Sequence, residues 1–387
     1  MKPEIELSIV MPCLNEAETL ETCIKKAQRA IDRHAISAEI VIADNGSTDG
    51  SQDIARQNGA RVIDIKEKGY GSALRGGISA AQGKYVVMGD ADDSYDFGEV
   101  FRFVEKLRLG YDLVMGCRLP KGGGTIMPGA MPLKHRLLGN PVLSCIGQVF
   151  FKSPMTDFHC GLRGFSKAAF ETMELHTTGM EFASEMVIKA TLLKLRMAEI
   201  PITLHPDGRS RPPHLRSWRD GWRHLRFMLM YSPRWLFFFP GMLFLAIGAL
   251  VFVRLMMGPI FIGTIGLESN TLLVAGMSIL IGFQMISFYL FAKVFAITEG
   301  FLPEDLKIDT FLRVFPLEVG ILIGIVFFCL GAGLMAQAVT LWGQTGYGEL
   351  AYLVKLKKVV PAIIFLLLSC QIIFSSFFLS ILRLHRK

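Results

Sequence analysis

The sequence predicts two structural parts, an α/β domain with a mostly parallel sheet and a C-terminal all-α region that spans a membrane. Short apolar strands alternate with helices through the N-terminal half, which indicates the α/β domain. Four long, nearly charge-free runs follow residue 234, and a bilayer core needs only about 20 apolar residues per helix. The chain of 387 residues is 51% hydrophobic with a mean hydropathy of +0.41, which is too apolar for an ordinary soluble protein.

The N-terminal strands are apolar along their whole length. Strands buried on both faces have this pattern, so we expect a parallel sheet covered by helices on both sides. The predicted strands span residues 7–12, 38–45, 60–65, 84–90 and 111–116, and the predicted helices span 16–30, 49–57, 72–81 and 97–109.

Polar residues follow several of these strands. Asn15 follows the first strand, Asp44 and Asn45 end the second, and Asp90 and Asp92 come at the end of the fourth. Ligands of open α/β sheets bind beyond the carboxyl ends of the strands, so these residues predict a site at one sheet edge.

The Asp90-Ala91-Asp92 segment suits a divalent cation. Side chains two residues apart in an extended segment point the same way, and two carboxylates can hold Mg²⁺ or Mn²⁺ with diphosphate oxygens completing the coordination. Taken alone, the segment is equally well interpreted as an acidic turn, because Asp is common in turns.

Four segments together resemble one known family. They are "MPCLNEAETL" (11–20), "IADNGSTDGS" (42–51), "KGYGSALRGG" (68–77) and "GDADD" (89–93). In this order they match the patterns P-x-x-N-E, D-(D/N)-G-S-x-D, G-x-G-x-A and D-A-D. The chain is similar over about residues 5–230 to the family 2 glycosyltransferases of GT-A fold, and among them to polyprenyl-phosphate sugar synthases of the dolichol-phosphate mannose synthase type. The resemblance implies a GT-A domain with a Rossmann-like sheet.

The resemblance also implies a nucleotide-diphosphate sugar as donor and Mg²⁺ or Mn²⁺ as cofactor. Asp44 matches the acid that accepts from the base NH, Asp90 the acid facing ribose and sugar, and Asp92 the metal ligand, with Asp90 and Ser94 as further ligands. Ser94 stands where many relatives have Gln, which leaves the coordination sphere open. The implied donor contacts are Pro12, Asn15, Glu16, Asp44, Asn45, Gly69, Gly71, Arg75, Asp90 and Ala91.

The implied acceptor is a polyprenyl phosphate. In "MTDFHCGLRGF" (155–165), Arg163 matches the residue that holds the acceptor phosphate, and Asp157 one near the anomeric carbon. Arg118 in "GCRL" matches a further arginine near the phosphates, whereas His159 has either a capping or a packing role. A lipid monophosphate is already anionic, so we expect inverting single displacement without a strong general base.

The segment 205–232 is basic and amphipathic. Arg216, Arg219 and Arg223 alternate with Trp218 and Trp222, directly before an apolar run. This arrangement favours a helix in the lipid headgroup layer over nucleic-acid binding, and its arginines would guide the lipid phosphate. The predicted domains are therefore a GT-A domain (1–204), this interfacial segment (205–232) and a transmembrane domain (233–387).

Four spans are expected, at about 235–253, 271–297, 317–342 and 359–382. Without a visible signal peptide, the catalytic domain is expected in the cytoplasm and the multi-pass protein in the cytoplasmic membrane. The basic C-terminus (383–387) agrees with the positive-inside rule, but "KLKK" (355–358) would lie outside. Gln284 and Lys293 in the second span either line a groove for the isoprenoid or, for Lys293, reach toward the interface.

Two other functions are alternatives for this sequence. Processive polysaccharide synthases carry Q-x-x-R-W, whereas Arg234-Trp235 here has no Gln three residues before the arginine. A non-catalytic membrane protein that binds nucleotide sugar is the second alternative, which the intact Asp90, Asp92 and Arg163 disfavour. The sequence does not distinguish UDP from GDP donors, nor a monomer from a homo-oligomer.

Overall fold

The computed structural model describes residues 5–210, 217–262, 265–267, 269–348 and 354–384. The chain forms two compact units, Met1–Met228 and Leu229–Lys387. The predicted interfacial segment 205–232 therefore contributes to both units. Its Arg216 lies outside the described residues, whereas Arg219 and Arg223 lie on a described helix.

A seven-stranded sheet forms the centre of the first unit, in the order β3-β2-β1-β4-β7-β5-β8. Its strands are β1 (Leu7–Cys13), β2 (Ala38–Asp44), β3 (Arg61–Asp64), β4 (Tyr85–Met88), β5 (Leu113–Cys117), β7 (Arg163–Ser166) and β8 (Met197–Pro201). A separate pair joins β6 (Thr125–Ile126) to β9 (Thr203–Leu204).

The predicted α/β class is confirmed, although two strands of this sheet, β7 and β8, were not predicted from the sequence. The strand pairs β1–β2, β1–β4, β2–β3 and β5–β8 are parallel. Of the two additional strands, β7 runs antiparallel to both β4 and β5 and separates them. Its four residues, including one glycine, are too few for a periodic signal.

Helices cover the sheet of the first unit. They are α1 (Leu20–Arg33), α2 (Ser51–Gln57), α3 (Tyr70–Ala80), α4 (Val100–Arg108), α5 (Asn140–Phe151), α6 (Lys167–Met173), α7 (Phe182–Leu192) and α8 (Ser217–Tyr231), the last continuing to the second unit. Apolar stripes on α1 and α4 pack on the sheet, so β1 and β4 are almost wholly buried, as their apolar sequences predict.

The strand register brings the polar strand ends to one edge. Cys13 of β1 pairs with Asp44 of β2, and Val10 pairs with Met88 of β4, so the segments after β1, β2 and β4 leave the sheet on the same side. Because β7 is antiparallel, its first residue, Arg163, lies beside the ends of β4 and β5. This edge is where the candidate site forms.

The second unit is helical. It contains α9 (Phe239–Met257), α10 (Ser269–Thr298), α11 (Leu306–Val314), α12 (Leu317–Gln344) and α13 (Val360–Leu382), with a short hairpin of β10 (Ile260–Ile262) and β11 (Ile265–Leu267). Among the described residues, four helices are long and apolar enough to cross a membrane, as predicted; they span Arg234–Met257, Asn270–Thr298, Leu317–Gln344 and Lys357–Leu382.

Small residues allow close packing of these helices. Gly248 on α9 lies against the backbone of α10, and Gly324 on α12 lies against α13. The polar residues of the second span have partners inside this unit. Gln371 donates to Gln284 over 3.2 Å, and Lys293 pairs with Asp305 at 3.4 Å.

Candidate active site

Asp90 lies at the turn after β4, next to the first residue of α3. Its carboxylate accepts a hydrogen bond of 2.9 Å from the Tyr70 hydroxyl. Burial, followed by the nearby negative charge of Asp92, raises the pKa of Asp90 to about 6. Sequence reasoning missed Tyr70, although it stands between the two glycines of the G-x-G-x-A pattern. A bound cation would stabilise the ionised forms of these two neighbouring acids, so this turn is a candidate cation site.

Asp92 is mostly buried and has a different partner on each oxygen. The Ser94 amide and hydroxyl donate to Oδ1 over 3.1 and 2.6 Å. The other oxygen, Oδ2, meets the Arg209 guanidinium at 2.5 Å. Ser94 therefore orients the Asp92 carboxylate here, and its role as a metal ligand stays a prediction.

Arg209 lies among the carboxylates of Glu16, Asp90 and Asp92, which form the acidic corner of the site. Its Nη1 donates to Glu16 over 3.1 Å, while its Nη2 contacts Asp92, and the side chain is only 11% exposed. The segment that carries it is held on the Asp90–Ser94 turn by two backbone bonds of 3.0 Å, from His205 to Ser94 and from Gly208 to Asp92. Sequence reasoning grouped Arg209 with the basic segment and missed its place in the site.

The acidic corner suits a divalent cation that is shared with a substrate. The described residues contain no group of three or more His, Cys, Asp or Glu side chains able to hold a metal alone. Mg²⁺ is usually held by one or two carboxylates together with substrate phosphates, which matches Asp90 and Asp92. The guanidinium of Arg209 on Asp92 is a stand-in cation at this position.

A second, basic group lies at the end of β5. Arg118 and Asp157 form a bidentate ion pair, with Nε–Oδ2 and Nη2–Oδ1 distances of 2.8 and 2.9 Å. Although burial opposes both charges, Arg118 holds the pKa of Asp157 below its ordinary value, and Asp157 raises that of Arg118 well above its own. Glu199 on β8 fixes the loop by accepting from the Thr156 and Asp157 amides over 2.6 and 3.0 Å.

The third guanidinium nitrogen of Arg118 faces the acidic corner. Its Nη1 makes a long contact of 3.4 Å with the Tyr95 hydroxyl, and Arg118 also lowers the pKa of Asp90 electrostatically, after larger effects from burial, Asp92, Tyr70 and Arg209. Both carboxylate oxygens of Asp157 accept hydrogen bonds from Arg118, so neither oxygen is placed to remove a proton. This geometry agrees with the expectation that Asp157 orients a neighbour and does not act as a base.

The structure encloses Arg163, and its predicted role in holding the acceptor phosphate stays a prediction. Its side chain is 0% exposed, and its three nitrogens donate to the backbone carbonyls of Cys160, Ala183 and Phe158 over 2.7, 2.5 and 3.0 Å. Three of its five N–H groups are thus engaged by carbonyls, and in this conformation the side chain has no exposed surface that a phosphate could reach. Arg163 therefore fixes the 158–160 loop and α7, because antiparallel β7 turns its first side chain into the core.

The predicted base contacts are also engaged locally. Asp44 is 0% exposed and accepts from the Gly46 amide over 3.0 Å and from Gln52 over 2.7 Å. Asn45 donates to Ile65 and Glu67 carbonyls over 3.0 and 2.8 Å. These side chains shape the turn after β2, and the contact of the Asp44 carboxylate with a base stays a prediction.

Gly69 and Gly71 serve a close backbone approach. A Cβ at Gly69 would lie 2.2 Å from the Thr178 carbonyl, which accepts from the Gly71 amide over 2.9 Å. The fully buried Glu185 holds this loop through the Thr177 amide at 2.9 Å and hydroxyl at 2.6 Å. Close packing of the start of α3 against the Thr178 backbone therefore explains the glycines. Their predicted contact with the nucleotide-sugar donor stays a prediction.

The remaining predicted donor residues lie around the same edge. Asn15 has φ 59° and accepts from the Thr48 amide over 2.8 Å, and Ala91 is buried with its carbonyl on Thr19. Pro12 lies near the end of β1. Arg75 is an outlier on the surface, since it pairs with Glu67 at 2.7 Å.

Comparisons with known proteins identify the family of this chain. The description "Glycosyl transferase family 2" matches residues 8–173, and "Glycosyltransferase family 2 C-terminal transmembrane region" matches residues 290–383. The "Low-salt glycan biosynthesis hexosyltransferase Agl6" of Haloferax volcanii is 38% identical over 96% of this chain and 88% of its own. A "Dolichyl-phosphate hexose transferase" of the same organism is 30% identical over 51% of this chain and 82% of its own.

Solved structures include a weaker likeness. The glucosyl-3-phosphoglycerate synthase of Mycobacterium tuberculosis, crystallised with Mn²⁺, UDP and glucosyl-3-phosphoglycerate, is 21% identical, with a TM-score of 0.44 over 58% of this chain and 77% of its own. A likeness this weak identifies no function. The family descriptions and the near full-length relative decide the assignment: the chain is a membrane protein that belongs to glycosyltransferase family 2, with a GT-A catalytic domain and a C-terminal transmembrane region.

Proposed function

We propose that this glycosyltransferase moves one sugar from a nucleotide-diphosphate donor to a polyprenyl phosphate, with inversion at the anomeric carbon. The observation that carries the proposal is the Arg118–Asp157 pair beside the acidic turn of Asp90 and Asp92. The acidic turn suits a cation with a diphosphate, and the locked guanidinium suits a second phosphate. A family 2 enzyme with transmembrane helices and both features is suited to an anionic lipid acceptor.

On the donor side, Asp90 and Asp92 are the residues that would hold Mg²⁺ or Mn²⁺. When bound, the cation would neutralise charge that builds on the departing diphosphate. Tyr70 and Ser94 keep the two carboxylates in place through their hydroxyl bonds. Asn15 and Glu16, after β1, lie at the same edge as candidate contacts to the nucleotide.

On the acceptor side, Arg118 takes the role that the sequence had assigned to Arg163. Asp157 holds the planar guanidinium through Nε and Nη2, which leaves Nη1, directed toward Tyr95, as the nitrogen that would meet a phosphate oxygen. A planar guanidinium fixed in this way reads phosphate geometry, which Lys does not reproduce. The lipid phosphate itself attacks the anomeric carbon, so Arg118 orients it and no residue needs to remove a proton.

The lipid would reach the site from the headgroup layer. Helix α8 exposes Trp218 and Trp222, at 92% and 57%, together with Arg219 and Arg223. Exposed tryptophans among arginines suit an interfacial helix. Leu137, in the segment before α5, is a further exposed apolar side chain of the first unit. We place this unit in the cytoplasm, since the basic groups of α8 would meet the anionic leaflet there.

The test uses the full-length protein in membranes, with labelled UDP- and GDP-sugars and a polyprenyl phosphate. The expected product is a lipid-linked monosaccharide whose formation requires Mg²⁺ or Mn²⁺. Asp92→Asn should nearly abolish it, whereas the adjacent Asp93→Asn, a surface residue paired with Lys26, should not. Transfer in excess chelator would contradict the metal site, and long polymer products would point to a processive enzyme.

Arg118→Lys separates acceptor from donor binding. Losing a buried charge-assisted contact costs about 2–5 kcal/mol, which is about 30- to several-thousand-fold in transfer rate. Slow hydrolysis of the donor by water should survive, because it needs no acceptor phosphate. Arg102→Lys, at a half-buried surface pair with Glu99, is the matched control. Equal loss of hydrolysis and transfer would assign Arg118 to the donor diphosphate.

A further inference from the structure

We infer that His224 is a positioning residue, which links helix α8 through Ser184 to the loop that carries Asp157. This inference rests on the proposed function and deepens it, because it gives the interfacial helix a defined connection to the acceptor side of the site. The three elements involved, α7, α8 and the 157–160 loop, all contribute these residues from the first unit.

The link is a hydrogen-bonded cluster of two imidazoles around one hydroxyl. The Ser184 hydroxyl lies 2.8 Å from His224 Nδ1 and 3.4 Å from His159 Nε2. The two rings meet edge to face, with centroids 4.7 Å apart. Ser184 is 0% and His224 7% exposed, so the cluster is inside the protein although α8 otherwise presents charged and aromatic groups.

The cluster is connected to the Arg118–Asp157 ion pair through the backbone of His159. The His159 amide donates to Asp157 Oδ1 over 3.2 Å, and that oxygen also accepts from Arg118. Burial, and then the neighbouring His224, hold the pKa of His159 well below its ordinary value. A neutral imidazole at this place bonds to Ser184 without adding a second charge beside Arg118.

The amphipathic pattern of α8 explains what the link achieves. His224 and Met228, four residues apart on one face, are buried, whereas Trp218 and Trp222 on the remaining surface are exposed. Packing by Met228 alone would allow the helix to slide or rotate, since apolar contacts are non-directional. The directional bond at His224 fixes the register of α8 against the Asp157 loop. A lipid phosphate guided by α8 would then arrive at a fixed place relative to Arg118.

Variants that remove one partner of the His224–Ser184 bond at a time test this role. His224→Phe keeps a ring against His159 and loses the Nδ1 bond, and Ser184→Ala loses the hydroxyl. His224→Asn places a side-chain heteroatom where Nδ1 stood and should rescue the bond. Met228→Leu is the matched control, because it conserves volume on the same buried face.

The measurement is the steady-state kinetics of the full-length protein toward polyprenyl phosphate and toward the donor, with donor hydrolysis in the same preparation. His224→Phe and Ser184→Ala should each lower kcat/KM for the lipid about tenfold, equivalent to 1.4 kcal/mol, with donor KM and hydrolysis little changed. The double variant should be no worse than either single one, because both remove one link. His224→Asn and Met228→Leu should stay close to wild type.

Three results would overturn the inference: equal losses for donor and lipid, a His224→Asn variant as poor as His224→Phe, or multiplied losses in the double variant. If His224→Phe fails to fold, Ser184→Ala against His224→Asn still decides. The proposed function fails separately, since a wild-type protein that makes no glycolipid contradicts it whatever the variants do.

Discussion

Arg209 should compete with the metal for Asp92. Its guanidinium bridges Asp92 and Glu16, at 2.5 and 3.1 Å, in a mostly buried position. A divalent cation that binds Asp92 must displace this contact or share the carboxylate with it. Arg209→Gln removes the positive charge and keeps a shorter, polar side chain, so Mn²⁺ alone should bind the variant more tightly than the wild type.

The magnitude follows from the contact that is lost. A hydrogen bond to a charged partner contributes about 1.5–3 kcal/mol net, and Arg209 retains Glu16 and Asp207 as alternative partners when Asp92 is taken. Releasing Asp92 from this competition should therefore lower the Kd for Mn²⁺ by about 10- to 150-fold. An ordinary substrate-binding arginine would behave differently, because its loss would leave metal binding unchanged.

The assay is a titration of purified full-length protein with Mn²⁺, in the absence of nucleotide, followed by the electron paramagnetic resonance of free Mn²⁺. Arg61→Gln is the matched control, because it removes the same charge from a half-buried pair with Glu39 at 2.7 Å. Asp92→Asn in the Arg209→Gln background should abolish the gain. An unchanged Kd, or an equal gain in Arg61→Gln, would refute the reasoning.

Four further outcomes are expected. Asp157→Asn should lower the free energy of unfolding by about 3–5 kcal/mol, since it leaves Arg118 charged and unpaired inside the protein; a drop in Tm checks this. The pKa of Asp157 is lowered on folding. The stabilisation by its ionised carboxylate should therefore be present above the ordinary carboxyl pKa and lost as the pH falls through the lowered pKa. The Tm of Asp157→Asn should consequently vary less with pH in the acid range than the Tm of the wild type. Gly69→Ala should cost about 1–3 kcal/mol, because its φ is +133° and a Cβ would meet the Thr178 carbonyl, and an unchanged Tm would contradict this. Cys145 is exposed, so an impermeant maleimide should label it only after the cells are opened if the first unit is cytoplasmic, with Cys145→Ser as the control.

The fold was largely readable from the sequence because its signals are local. Continuous apolar strands, polar strand ends and long apolar runs each depend on neighbouring residues, and the structure has β1, β4 and the four long helices where these patterns predicted them. The antiparallel strand β7 was missed for the same reason. Its four residues form a strand only because β4 and β5 leave a gap between them, which no local pattern records.

Arg163 and Arg209 show why the site was harder to predict than the fold. Arg163 lies in a motif and was expected to bind phosphate, yet the direction of β7 turns it into the core, where each of its three nitrogens donates to a backbone carbonyl. Arg209 lies among many arginines and was expected at the lipid surface, yet backbone bonds from His205 and Gly208 place it on Asp92. A guanidinium has the same chemistry at both positions. Arg209 meets Asp92 and Glu16 from segments more than 100 residues distant, whereas Arg163 meets carbonyls that lie within 20 residues along the chain. The role of an arginine in this enzyme therefore follows from which acceptors the tertiary fold places around it, and our proposal that Arg118 meets a phosphate rests on Asp157 fixing it with one nitrogen toward Tyr95.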